Sequence, residues 1–134
     1  MKYVKDALEH IKGDFEEDTI DKCRYLILLG NIMRDIADPL KALENYKECL
    51  QIFNTSNLQR TEIEIALKYE IATLFSSVGL FERAVIFYCE SLRLATLKIG
   101  PECLEVARGI CAIGWISRET SLSLNSIEFI KHGK

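Results

Sequence analysis

The chain has 134 residues, 49% of them hydrophobic and 28% charged, which excludes an intrinsically disordered chain and is long enough to bury a sizeable core. A formal net charge of -3 argues against a nucleic-acid or anionic-membrane surface as the main partner. The five cysteines are odd in number and form no C-x-x-C pair, which argues against a disulfide framework and for a reducing compartment.

With two prolines and seven glycines there is room for few turns, so long helices are expected and no strand stands out. Val4, Ala7, Leu8 and Ile11 fall at helical spacing and predict a first helix, ended at Gly13. The acids Asp14, Glu16, Glu17 and Asp18 suit the positive start of a second helix, expected from Thr19 to Asp35 with Leu26, Leu29 and Met33 on one face. Asp38-Pro39 opens a third helix, because aspartate accepts from free amides and proline fits the first helical position; it should reach Phe53. Asn54 to Asn57 is turn chemistry, and Ser56 with Gln59 resembles a capping box for a fourth helix ending at Val78. Gly79 can close that helix in the left-handed conformation, leaving Leu80 to Leu97 as a fifth. Gly100-Pro101 separates it from a sixth, expected to end at Glu119, and Ser121 could cap a seventh that ends near His132. The opening Met1 to Asp6 has no apolar signal core, and no charge-free run reaches the roughly 18 residues of a membrane span, so a cytoplasmic location is expected.

Equivalent residues recur at one interval. Gly30, Ala72 and Gly114 are small and 42 residues apart, and Ala42, Ala84 and Ser126 follow at the same step, as do Tyr46, Tyr88 and Ile130. Two helices approach closely only where neither carries a large side chain, with a bulky residue one turn on filling the gap. Gly30 with Ala42 and Ala72 with Ala84 are the expected close pairs, with Leu29, Met33, Ile71, Phe75 and Ile113 in the core.

Leu26, Leu29-Gly30, Ala42, Tyr46 and Cys49, then Ile71-Ala72, Phe75, Gly79, Phe81-Glu82, Ala84, Tyr88 and Ser91, give the chain a pattern that resembles the tetratricopeptide repeat family. The 42-residue unit and Gly100-Pro101 are similar to the longer form found in kinesin light chains, although the paired asparagines typical of that form are absent. Ala37 replaces a turn glycine, and Ser117 stands where an aromatic is usual. The resemblance implies an all-α fold, an α-solenoid of antiparallel helix pairs wound as a right-handed superhelix. The likeness covers about Thr19 to the C-terminus, and the expected single domain over 1–134 has an N-terminal helix over 1–13, unit one over 19–53, unit two over 58–97 and an incomplete unit three over 101–132. It also implies a non-catalytic scaffold or adaptor that takes a peptide or helix in a concave groove lined by the first helix of each unit.

Helical projection of that groove gives Arg24, Ile27, Asn31 and Arg34 in unit one, Ala66, Tyr69, Thr73 and Ser76 in unit two, and Arg108, Cys111, Trp115 and Arg118 in unit three. Four arginines in an acidic chain point to an acidic protein or peptide partner, with an apolar anchor against Tyr69 or Trp115. The plainer reading pairs these arginines with Asp35, Glu70 and Glu119 in a solvated face. Of the lysine and asparagine clamp used by chaperone-binding members only Asn31 matches, so a chaperone C-terminus is not the expected ligand. His10 and His132 lie near opposite ends of the sequence, and no metal, cofactor or catalytic cluster is expected. Cys49 reads as a packing residue and Cys23, Cys89, Cys103 and Cys111 as inert thiols. A rival reading is a small helical enzyme or ligand carrier using the bundle interior; another is a nucleic-acid-binding repeat whose affinity falls steeply with salt. The apolar Leu122, Leu124, Ile127, Phe129 and Ile130 suggest self-association or docking through the C-terminal helix.

Overall fold

Five helices make up the regular structure among the described residues of the computed structural model: α1 (Lys2–Asp35), α2 (Pro39–Thr55), α3 (Thr61–Ser77), α4 (Phe81–Lys98) and α5 (Leu104–His132). The backbone is described over residues 2–56 and 60–132, and side chains over 4–6, 17–56 and 60–121. The protein is all-α.

Two expected breaks do not form. α1 runs through Gly13 and α5 runs through Ser121, so the separate helices expected over 1–13 and after Ser121 are parts of longer ones. A lone glycine inside a helix costs about 1 kcal/mol relative to alanine, too little to end it where no proline follows. Ser121 can cap a helix only if the chain first leaves helical geometry, and nothing before it forces that.

The turns that do form follow local chemistry. At the start of α2 the Asp38 carboxylate accepts from the Lys41 amide at 3.3 Å, and Pro39 occupies the first turn. Ser56, expected to open the fourth helix, instead closes α2, its amide donating to the Ile52 carbonyl at 2.9 Å. Gln59 lies outside the described residues. Gly79 has φ of +85° and Ala37 has φ of +62°, so the alanine takes the left-handed conformation that glycine provides in the other turn. Around them the Asp38 amide reaches the Met33 carbonyl at 2.8 Å and the Ala37 amide reaches Arg34 at 3.1 Å; Leu80 to Phe75 at 2.9 Å and Gly79 to Ser76 at 3.1 Å match them bond for bond. This is the crossed pair of hydrogen bonds of a Schellman closure, made twice at the 42-residue step. After α4 the chain turns differently, at Gly100 with φ +136°, where the Ile99 and Gly100 amides both donate to the Ala95 carbonyl, at 2.9 and 3.0 Å.

Contacts divide the chain into two compact units, Met1–Ile63 and Glu64–Lys134. In the first, α1 and α2 form an antiparallel hairpin whose core contains Ile20, Cys23, Leu26, Ala42, Tyr46, Cys49 and Phe53. In the second, Ala72, Ala84, Tyr88 and Ile116 are buried together, with Phe75, Phe81 and Ile113 packed against them. A further cluster joins Ile65, Ala95 and Val106. Ile71 is buried as expected, and Leu29, Met33, Phe75 and Ile113 are half-buried. α5 runs antiparallel to α4, since Leu92 lies over Gly109 and the Phe81 ring meets Trp115 edge-on at 6.2 Å.

Candidate functional site

The most ordered polar contacts lie inside each hairpin. In the first unit the Tyr46 hydroxyl donates to Asn31 Oδ1, and Cys49 Sγ donates to the Cys23 carbonyl at 3.5 Å. One 42-residue step on, the Tyr88 hydroxyl meets Thr73 Oγ1 at 2.8 Å and Ser91 Oγ donates to the Ile65 carbonyl at 3.0 Å. Thr73 gives its own proton to the Tyr69 carbonyl at 2.9 Å, so Tyr88 is the donor in its pair, as Tyr46 is in the other. The repeat therefore extends to individual hydrogen bonds that tie the second helix of a hairpin to the first.

Several residues projected onto the groove are tied into these hairpins instead. Asn31 and Thr73 brace the tyrosine of the facing helix, and Tyr69 packs edge-on against Tyr88 with ring centres 5.3 Å apart. Ile27 and Ser76 are half-buried. Arg34 retains 18% side-chain exposure and lies 3.8 Å from Asp35, while Arg24, well exposed, is 3.9 Å from Glu62. Ala66 is exposed but offers no polar group.

The α5 candidates differ. Arg108, Cys111, Trp115 and Arg118 are all exposed and recur every three to four residues, which puts them along one face of the helix. Trp115 is 50% exposed, held on one edge by Phe81. Neither Arg108 nor Arg118 makes an ion pair among the described residues. Two cations about 15 Å apart along a helix with an aromatic between them suit an extended acidic ligand with an apolar residue at its centre.

Two other surfaces were not singled out from the sequence. On α1 and just past its end, Tyr25, Leu28, Ile32 and Ile36 form an exposed apolar stripe, although Leu67 and Leu74, one repeat beyond Tyr25 and Ile32, are buried. The signal was present: apolar residues occupy more of α1 between Tyr25 and Ile36 than one face can use. Between α4 and α5 lies an open groove of about 1040 Å³, lined chiefly by Leu80, Phe81, Val85, Ile86, Ile116 and Ser117.

The interior is chemically quiet. Burial pushes the Cys49 thiol up to about 12, helped by neighbouring Cys23, and burial also raises Cys23. Cys89 and Cys111 are exposed. Among the described residues no three His, Cys, Asp or Glu side chains come together as a metal ion would require, and no helix is long and apolar enough to cross a membrane.

The fold class is thus all-α, with two hairpins that repeat one set of contacts. No family model matches the chain, and neither a curated protein nor a solved structure shows significant similarity to it.

Proposed function

We propose that this protein is a non-catalytic helical-repeat interaction module of tetratricopeptide-repeat type, an adaptor or scaffold that binds an acidic protein segment in the cytoplasm. The observation that carries the reading is the α5 face, where Arg108, Trp115 and Arg118 stand exposed on a helix whose opposite side is anchored through Val106 and Ile116. The internal repeat supports it: residues that hold the hairpins together are the same in kind in both, and the α5 cations and Trp115 lie outside that set, on the surface. The exposed stripe on α1 adds apolar surface of the sort that partners cover.

The ligand is an extended or helical acidic segment, its carboxylates on Arg108 and Arg118 and a central aromatic or aliphatic side chain on Trp115. Arg24, in the first unit, is shared with Glu62 and takes no part in this α5 site. The test is fluorescence titration with synthetic acidic peptides carrying a central leucine or phenylalanine. Arg108→Glu with Arg118→Glu should weaken binding at least tenfold, since each charge-assisted hydrogen bond contributes about 1.5–3 kcal/mol. Affinity that is unchanged in the double variant ends the proposal.

A further inference from the structure

The third repeat is left unfinished in a particular way. At the turn position held by Ala37 and Gly79 the sequence has Ser121, and there the backbone stays helical and α5 continues to His132. The repeat register nevertheless persists: Ser126 falls where Ala42 and Ala84 are, and Ile130 where Tyr46 and Tyr88 are. Residues 122–132 thus carry the pattern of a second helix without the turn that would fold them back.

Among the described residues, nothing covers the position at which such a helix would pack. At Gly30 an added Cβ would lie 2.5 Å from the Tyr46 ring, and Ala72 is fully buried beside Tyr88. Gly114, the next equivalent, is exposed and has nothing within 4 Å of where its Cβ would be. One turn further on, Ser117 lines the apolar groove between α4 and α5. The helical backbone continues from Ser121, the last groove residue, to His132 about 16 Å further on, and does not turn back over the groove.

We propose that residues 122–132 of a second copy occupy this groove, each chain completing the other's third hairpin by reciprocal exchange. The occupant is fixed by register: the segment that continues the pattern of α2 and α4 is the one whose seat at Gly114 is open, and it belongs to this same chain. An exchanged segment makes the contacts it would make at home, and reciprocal exchange closes a two-fold dimer without leaving an open end. The proposal rests on the repeat alone and is independent of the acidic-ligand reading of α5.

Light scattering and sedimentation over low to high micromolar concentration test it. The wild-type chain should form a dimer of about twice the 15.3 kDa chain mass. Ile86→Asp, at a groove position 58% exposed, and Gly114→Leu, which fills the seat, should each return the mass to that of the monomer with helical circular dichroism intact. Ser121→Gly, which supplies the left-handed turn used at Gly79, should also shift the population to monomer. A wild-type chain that stays monomeric throughout, or a dimer that withstands all three substitutions, overturns the proposal.

Discussion

Tyr88 is buried, yet its hydroxyl finds Thr73 Oγ1 at 2.8 Å, a hydrogen bond that helps offset the cost of hiding a phenol. Tyr88→Phe removes one donor and should lower stability by about 1 kcal/mol, read as a lower urea midpoint. In a double-mutant cycle with Thr73→Val the two losses should be less than additive; full additivity would mean the contact contributes nothing. The thiols give a second residue-level expectation. Cys49 is held protonated, with its pKa pushed up to about 12. A raised folded-state value stabilises the protein below the ordinary thiol pKa of about 8.5, and that contribution disappears as pH rises from there towards the folded value. Urea midpoints should therefore fall through this alkaline window, and less steeply in Cys49→Ala. At neutral pH a thiol reagent should modify exposed Cys89 and Cys111 quickly and Cys23 and Cys49 only on unfolding. Cys49 as a packing residue was legible from its place in the repeat. The bracing roles of Asn31 and Thr73 were not, since the same helical projection fits a groove-facing residue and one that reaches sideways to a neighbouring tyrosine.

Between one helix and the next, the same repeat position can have opposite demands. Gly30 faces the Tyr46 ring and Gly114 faces open space, although both occupy one register. Gly30→Ala must displace a fully buried ring and should destabilise by about 1–3 kcal/mol, whereas Gly114→Ala, with both variants made in the Ile86→Asp chain so that no second copy covers this position, only gains helix propensity and should stabilise by up to about 1 kcal/mol. Thermal melts of the two variants should move in opposite directions. Shifts of one sign would show that the two glycines do not differ in packing. The turns give a matching case. Ala37 at φ +62° carries a Cβ in the left-handed region, so Ala37→Gly should raise the midpoint by about 1 kcal/mol, a gain absent if that turn relaxes. Asp38-Pro39 and Gly79 acted as the sequence predicted because capping and turn chemistry are local. Gly13 and Ser121 did not break their helices, because a glycine or a serine permits a turn without requiring one.

Each of the two compact units has a packed core of its own, so a core substitution should act first on the unit that holds it. Ala84 is fully buried in the second unit, and leucine there should cost about 1–3 kcal/mol by overpacking. Amide exchange should show the loss of protection concentrated in Glu64–Lys134, and the corresponding Ala42→Leu should act on Met1–Ile63. Protection lost evenly along the chain in both variants would show one cooperative block instead.

By itself the sequence determined the helical class, the 42-residue period, the turns at Asp38-Pro39 and Gly79, and burial at Ala42, Ala84, Tyr46 and Tyr88. Those follow from neighbours a few residues apart and from which side chains water rejects. Only the tertiary structure decided that Asn31 and Thr73 serve the hairpins, that Arg108, Trp115 and Arg118 stand exposed, and that Gly114 lacks the cover given to Gly30 and Ala72. Each of those depends on whether another helix lies opposite, a distance in space that periodicity along the chain does not encode.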